Sequence, residues 1–203
     1  MSEEKRPLAL LPWHRLEEIG IKRGDVTGVS VPEPHEMNML EHEIYEPESV
    51  ARMDEKGIWY RQRWFRRGEN FYLSGIKLHT KEGQKVVVTK DFYGSLGEGI
   101  KTEVARRAWS AAELRAKLKI ENAPVSIPET TGHEGTIIQR FVEGTPVGEK
   151  EFNKFAGKLR AIAKKLGFTV MLDKSNFIKD GKGNFHWVDV FALRSREESE
   201  GHA

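Results

Sequence analysis

Residues 148–167, GEKEFNKFAGKLRAIAKKLG, constrain the fold more than any other run in the chain. Phe152, Phe155, Ala156, Leu159, Ile162, Ala163 and Leu166 recur at i, i+3, i+4 and i+7, which places them on one face of a helix. Such a face must be buried against another element, so a helix-containing core is required. Gly167 supplies the stop, because a glycine adopts the left-handed conformation that ends helices at no steric cost. Directly beyond, NFIKDGKGNFHWVDV sets two apolar runs on either side of Asp180-Gly181-Lys182-Gly183, the pattern of a hairpin.

Upstream the period is two rather than 3.6. GIWYRQRWF, NFYLSGIKLHT and KVVVTKDF read as strands separated by the turn-like RRGE and KEGQ, an antiparallel meander. In the first, Trp59, Arg61, Arg63 and Phe65 alternate with Tyr60, Gln62 and Trp64, so neither face is cleanly apolar. IKTEVARRAWSAAELRAKLK then predicts a helix with its stripe through Val104, Ala108, Ala111 or Ala112, Leu114 and Leu118. TIIQRFV follows as a strand and EGTPV as a turn. The first fifty residues carry Pro7, Pro12, Pro32, Pro34 and Pro47 and are expected to form a short helix at 13–19 and mostly irregular chain, a wrapping arm or partner-binding extension. The expected fold is α+β: an antiparallel N-terminal sheet with one helix, and a small helical C-terminal part with a hairpin. The expected boundaries are 1–50 for the extension, 51–142 and 143–196 for the two parts, and 197–203 for a polar tail.

Composition narrows the function. The 203 residues are 38% apolar and 32% charged, as in a globular protein. The formal net charge is +2, so a general electrostatic grip on nucleic acid is not implied. With no cysteine, a disulfide framework, thiol catalysis and thiolate zinc sites are excluded. The first residues lack a signal-peptide core, and no run reaches the ~18 apolar residues of a membrane helix. A cytoplasmic protein is expected, with delivery to a host cell as the alternative.

Several residues could carry chemistry. Lys90 ends an otherwise apolar strand, where one cation can be aimed into a cleft. Glu103, thirteen residues on, could pair with it from the helix, with Glu113 as the alternative. Asp173, Asn176 and Asp189 offer hard oxygen ligands suited to Mg²⁺, and Asp189 closes the apolar run HWVDV, where a carboxylate must be paired, hydrated or metal-bound. Gly94, Gly97 and Gly99 have neither the dinucleotide nor the P-loop spacing and read as a flexible connection. His35 and His42 fit no zinc pattern, and WYRQRWFRR reads as an exposed strand face rather than a base-stacking surface.

Together these pieces resemble the protein-kinase-like superfamily, which includes protein kinases and small-molecule phosphotransferases. KVVVTK is similar to the third-strand lysine motif, QRFVEGTPV to the hinge, and KKLGFTVMLDKSNFIKDGKGNFHWVDV to the catalytic-loop and metal-binding segment. The resemblance covers residues 57 to 194 and implies a reduced bilobal kinase-like fold using ATP and Mg²⁺. It implies that Lys90 contacts the α- and β-phosphates with Glu103 as its partner, and that the backbone of Gln139, Arg140, Phe141 and Val142 meets the adenine. It also implies that Asn176 and Asp189 hold Mg²⁺ and that Asp173 orients the acceptor hydroxyl.

The chain departs from that pattern in four places. The glycine-rich loop is reduced to RRGEN with the single Gly68, where Arg66 and Arg67 could compensate by charge. Met171 stands where the family places its base, and Asp173 lies three residues before Asn176 rather than five. The chain ends fourteen residues after Asp189, too few for a large peptide-binding lobe. Two expectations follow: a minimal phosphotransferase acting on a protein or small-molecule acceptor, or a degenerate kinase fold that binds nucleotide or a partner, the latter through residues 1–50.

Overall fold

The computed structural model describes residues 8–33, 36, 44–45, 50–61, 64–65, 71–92 and 98–194. Its first elements are β1 (Ala9–Pro12), α1 (Trp13–Glu18), β2 (Val26–Ser30), β3 (Ile44–Tyr45), β4 (Val50–Met53) and β5 (Gly57–Arg61). They are followed by β6 (Trp64–Phe65), β7 (Phe71–Thr80), β8 (Gly83–Phe92) and the long helix α2 (Glu98–Ile120). Next come β9 (Val125–Ser126), β10 (Thr130–His133), β11 (Thr136–Arg140), β12 (Thr145–Pro146) and α3 (Glu149–Lys165). The last are β13 (Phe168–Met171), β14 (Phe177–Lys179), β15 (Phe185–Trp187) and β16 (Phe191–Arg194). The fold is α+β. It divides into two units: 1–109 with 128–143, and 110–127 with 144–203.

The first unit holds two sheets. In the larger, the order is β10-β11-β8-β7-β6-β3, with β2 also paired to β7. β7 and β8 form a ten-pair antiparallel ladder from Phe71↔Phe92 to Thr80↔Gly83, closed by Lys81 and Glu82. The alternation in KVVVTK sorts the residues of β8 between two faces. Val87 and Thr89 are buried with Ile76, Leu78 and Ile138, while Val86, Val88 and Lys90 on the opposite face are half-buried. The smaller sheet is β1-β5-β4. The run 57–65, expected as one strand, is therefore split: β5 pairs with β1 and β4, and β6 pairs with β3 and β7.

Among the described residues before position 50, those from 8 to 33 are more ordered than the prolines suggest. Leu11, Leu16 and Ile19 are fully buried and join Trp13, Ile58, Tyr60, Ile76, Leu78, Val87 and Ile138 in one core. Each buried side chain of this size stabilises by about 1.5–3 kcal/mol. Their short apolar stretches thus form β1, α1 and β2 because the sheet offers them a face to cover. On α2, Val104 and Ala108 pack against Gly132 of β10, where an added Cβ would stand 3.1 Å from that of Ala108.

The second unit has a four-stranded sheet, β12-β14-β15-β9, in which β15 and β9 run parallel, and the antiparallel pair β13-β16. Its core joins Leu114 and Leu118 of α2, Phe155, Leu159 and Ala163 of α3, and Phe168, Phe177, Trp187 and Ala192 of the strands. Ala111 is buried and Ala112 exposed, which resolves the register of the α2 stripe. α3 begins with Glu149 and Glu151 in its first turn and ends with Lys164 and Lys165 in its last, charges that complement the helix dipole. Gly167 follows it at φ +80°, the left-handed stop read from the sequence.

Gly144 marks the tightest backbone approach in this unit. A Cβ there would stand 2.3 Å from the carbonyl oxygen of Lys179 and 2.7 Å from Ile178. Backbone cannot give way as a flexible side chain can, so Gly144→Ala should lower the urea midpoint, at a cost of about 1–3 kcal/mol. An unchanged midpoint would show that β12 and β14 separate freely.

Candidate functional site

Lys90, Glu103 and Gln139–Val142 belong to the first unit; Asp173, Asn176 and Asp189 belong to the second. In the first, Lys90 lies opposite Leu73 of β7 and Ile137 of β11, on the sheet face away from the unit's core. β8 pairs with β11 from Val87 to Asp91, and the Phe141 N–H donates to Val86 O at 3.0 Å. The lysine strand and the chain leaving β11 at 141–143 are therefore held together. The Arg140 N–H donates to Glu129 O, and Gln139 Nε2 donates to Thr130 Oγ1 at 2.8 Å. Val142 follows the last of these sheet bonds.

Glu103 lies in α2. Its carboxylate accepts from Arg106 Nε and Nη2 at 2.7–2.9 Å and from Arg107 Nε at 2.6 Å. Burial works against the charge, yet Arg107 and Arg106 together hold the carboxyl below its usual range. Glu103 is thus an ionised carboxylate engaged by two cations of its own helix. Glu113 falls in the second unit and pairs with Lys117 at 2.8 Å. Gly68, Arg66, Arg67, Gly94, Gly97, His35 and His42 lie outside the described residues, as does part of WYRQRWFRR; Gly99 sits in the first turn of α2.

In the second unit, β13 ends at Met171, whose side chain is 63% exposed. Asp173 then caps a 3-10 turn at Lys174–Asn176. Its Oδ1 accepts from Ser175 N–H at 2.8 Å and from Ser175 Oγ–H at 2.7 Å, and these bonds hold its carboxyl below the usual range. Such local side-chain-to-backbone bonding is why aspartate favours this position. At the end of the turn, the carbonyl of Asn176 accepts from Val188 N–H at 2.9 Å. That bond brings Asn176 beside the residue preceding Asp189. The indole Nε1 of Trp187 donates to Asp189 O at 3.0 Å and fixes the chain there. Asp189 lies in a short bend between β15 and β16, half-buried.

The hairpin carries a second network that the sequence did not reveal. Asp180 accepts from Lys182 N–H, Asn184 N–H, Asn184 Nδ2 and His186 Nε2 at 2.8–3.0 Å. The His186 bond foremost, then Asn184, holds its carboxyl far below the usual range. With Nε2 donating to Asp180, a neutral imidazole presents Nδ1 to the hydroxyl of Ser126, 2.9 Å away. The array therefore latches β9 to the hairpin. Its sequence signal was only the Asp-Gly turn, because Ser126 is sixty residues from His186.

A second missed group is Asp91, directly after Lys90. Half-buried as a residue, it turns its carboxyl to the core face of β8 and accepts from Tyr60 Oη at 2.8 Å, Thr136 Oγ1 at 2.5 Å and Thr89 Oγ1 at 3.4 Å. Burial pushes its carboxyl above the usual range, against the opposing pull of those hydroxyls.

Among the described residues, no three His, Asp or Glu side chains cluster as a ready-made metal cage. Asn176 and Asp189 provide oxygen donors of the type Mg²⁺ takes, one or two from protein and the rest from phosphates and water. No helix among the described residues is long and apolar enough to cross a membrane. The chain matches no protein-family model and no curated protein.

Proposed function

We propose that the chain is a minimal kinase-like phosphotransferase using Mg·ATP. The observation that carries this reading is the Val188 N–H to Asn176 O bond, which draws an asparagine and an aspartate thirteen residues apart to adjoining positions. Support from the first unit is the pairing of the Lys90 strand with the strand that leads to Phe141 and Val142. Lys90 and the backbone beyond Arg140 would engage phosphates and base, with Glu103 keeping the neighbouring cations in place. Asn176 and Asp189 would hold Mg²⁺, which supplies charge neutralisation on the phosphates. Asp173, ionised and exposed, would orient the acceptor hydroxyl through Oδ2, the oxygen not bonded to Ser175.

One observation favours a second reading, a kinase fold that binds without transferring. Asp173 serves as a turn cap, and an exposed Met171 occupies the position of the expected base.

The test is a thermal melt with millimolar ATP and Mg²⁺, then phosphate transfer to the protein itself or a generic acceptor. Binding at 100 times Kd stabilises by about 2.7 kcal/mol, readily seen as a raised Tm. Asp189→Ala should lose both the shift and transfer. Asp173→Ala should keep the shift and lose about 10²–10⁴-fold in rate. Equal background transfer in all three proteins, with the shift intact in wild type, selects the binding module; no shift at all eliminates both nucleotide readings.

A further inference from the structure

The balanced net charge conceals a segregated one. α3 carries six cations, Lys150, Lys154, Lys158, Arg160, Lys164 and Lys165, against two carboxylates, Glu149 and Glu151. At 3.6 residues per turn, all six project within an arc of about 160°, opposite the buried Phe155, Leu159 and Ala163. The two carboxylates stand at the borders of that arc, not inside it. Every one of the six is exposed. Among the described residues, the one that pairs with a carboxylate is Lys165, with Glu121 at 2.9 Å.

The arc also has a shape. Beyond Lys150, which stands on the midline at the N-terminal end, the midline is occupied by Gly157 and Ala161, both exposed, with Arg160 and Lys164 on one side and Lys154, Lys158 and Lys165 on the other. From Lys154 to Lys165 cations thus flank a low ridge along ~16 Å of helix, at 1.5 Å per residue.

We propose that this face of α3 binds duplex DNA through its phosphate backbone. A helix is about 10–12 Å across and the B-DNA major groove about 12 Å wide, so a helix with small residues on its midline can enter. Its two rows of cations then reach the phosphates on either side. The narrow major groove of RNA duplexes does not admit it. The arc has no aromatic residue on which single-stranded bases could stack. It has no apolar side chain larger than alanine to insert into a bilayer, which a membrane-surface helix requires. Recognition rests on phosphate more than on sequence, since Asn153 and Arg160 are the arc's only side chains able to make a planar two-point contact with a base edge. The inference is independent of the phosphotransferase reading and needs no nucleotide.

The test uses the full chain and a 20-base-pair duplex of arbitrary sequence, followed by fluorescence anisotropy over a salt series. Neutralising about five phosphates gives a slope of log K against log salt of about −4 to −5, with Kd of about 10⁻⁴–10⁻⁶ M at physiological salt. The triple variant Lys154→Glu, Lys158→Glu, Lys164→Glu should bind at least tenfold more weakly, with the slope shallower by about three. The corresponding Lys→Gln triple gives the same reading without charge reversal if the first variant melts early. A control, Lys22→Glu with Lys81→Glu, alters exposed cations of the first unit and should change binding less than twofold. No anisotropy change at 50 mM salt, equal affinity of triple variant and wild type, or binding to phosphatidylserine vesicles but not to the duplex would overturn the proposal.

Discussion

Trp187→Ala should cost the second unit about 3–5 kcal/mol, the range for removing a large buried aromatic side chain. Trp187 is fully buried and stacks on Phe177 at a centroid distance of 5.6 Å and 17° between planes. Phe177 in turn meets Phe152 and Phe155, and Phe185 meets Phe155. Removing the indole opens a cavity in the middle of this cluster, and the rigid strands around it can collapse only in part. A domain is commonly stable by 5–15 kcal/mol, so the loss is a large share of the total. Urea denaturation followed by far-UV circular dichroism measures it. Trp187→Phe should retain much of the stack and cost less, while releasing Asp189 from the Nε1 bond. Hydrogen exchange of peptides covering 185–194 then rises in both variants, but global stability falls steeply in the alanine variant alone. A loss below 1 kcal/mol for Trp187→Ala would mean that the aromatic cluster does not carry the unit.

What the sequence disclosed follows the range of the interactions concerned. α3 and its Gly167 stop depend on residues three and four apart, and both stand where the pattern puts them. The β7–β8 ladder depends on alternation and a short turn, again local. The partition of 57–65 was hidden because its cause is distant. A Cβ on Gly57 would stand 2.1 Å from Leu11 O, so β1 approaches β5 over a residue without a side chain. The four-residue β16 was likewise illegible, since its partner residues in β13 lie 20 to 26 positions back. For the candidate site, the approach of Asn176 to Val188, the residue before Asp189, was legible through the intervening hairpin. The capping role of Asp173 is local but was masked by the expectation of a base, and the network at Asp91 spans Tyr60 to Thr136, which no single window contains.

That network carries a pH dependence opposite to the common one for carboxylates. Burial raises the folded-state pKa of Asp91 above the unfolded value near 3.8. A raised pKa means that the protonated form is favoured in the fold. The contribution to stability is thus complete below pH 3.8 and is lost as pH rises through the folded value. Asp91→Asn removes that titration, so the difference in stability between wild type and variant should shift in the variant's favour between pH 4 and pH 7.5. Asp91→Val should be worse at either pH, because the hydroxyls of Tyr60 and Thr136 lose their acceptor. Tyr60 is only 2% exposed, so water cannot replace it. Each orphaned buried hydroxyl costs about 1–3 kcal/mol, giving about 2–4 kcal/mol in all after relief of the buried carboxyl's own desolvation. Adding Tyr60→Phe and Thr136→Val to Asp91→Val should recover most of that loss, since the two closely bonded hydroxyls are then gone and only Thr89, whose bond to Asp91 is the long one at 3.4 Å, loses an acceptor. Urea melts of the four proteins at both pH values measure these differences. A single Asp91→Val costing under 0.5 kcal/mol, or a triple variant no more stable than the single, would show that the three hydroxyls do not depend on Asp91, and the end of the Lys90 strand would then be held by its ladder to β7 and β11 alone.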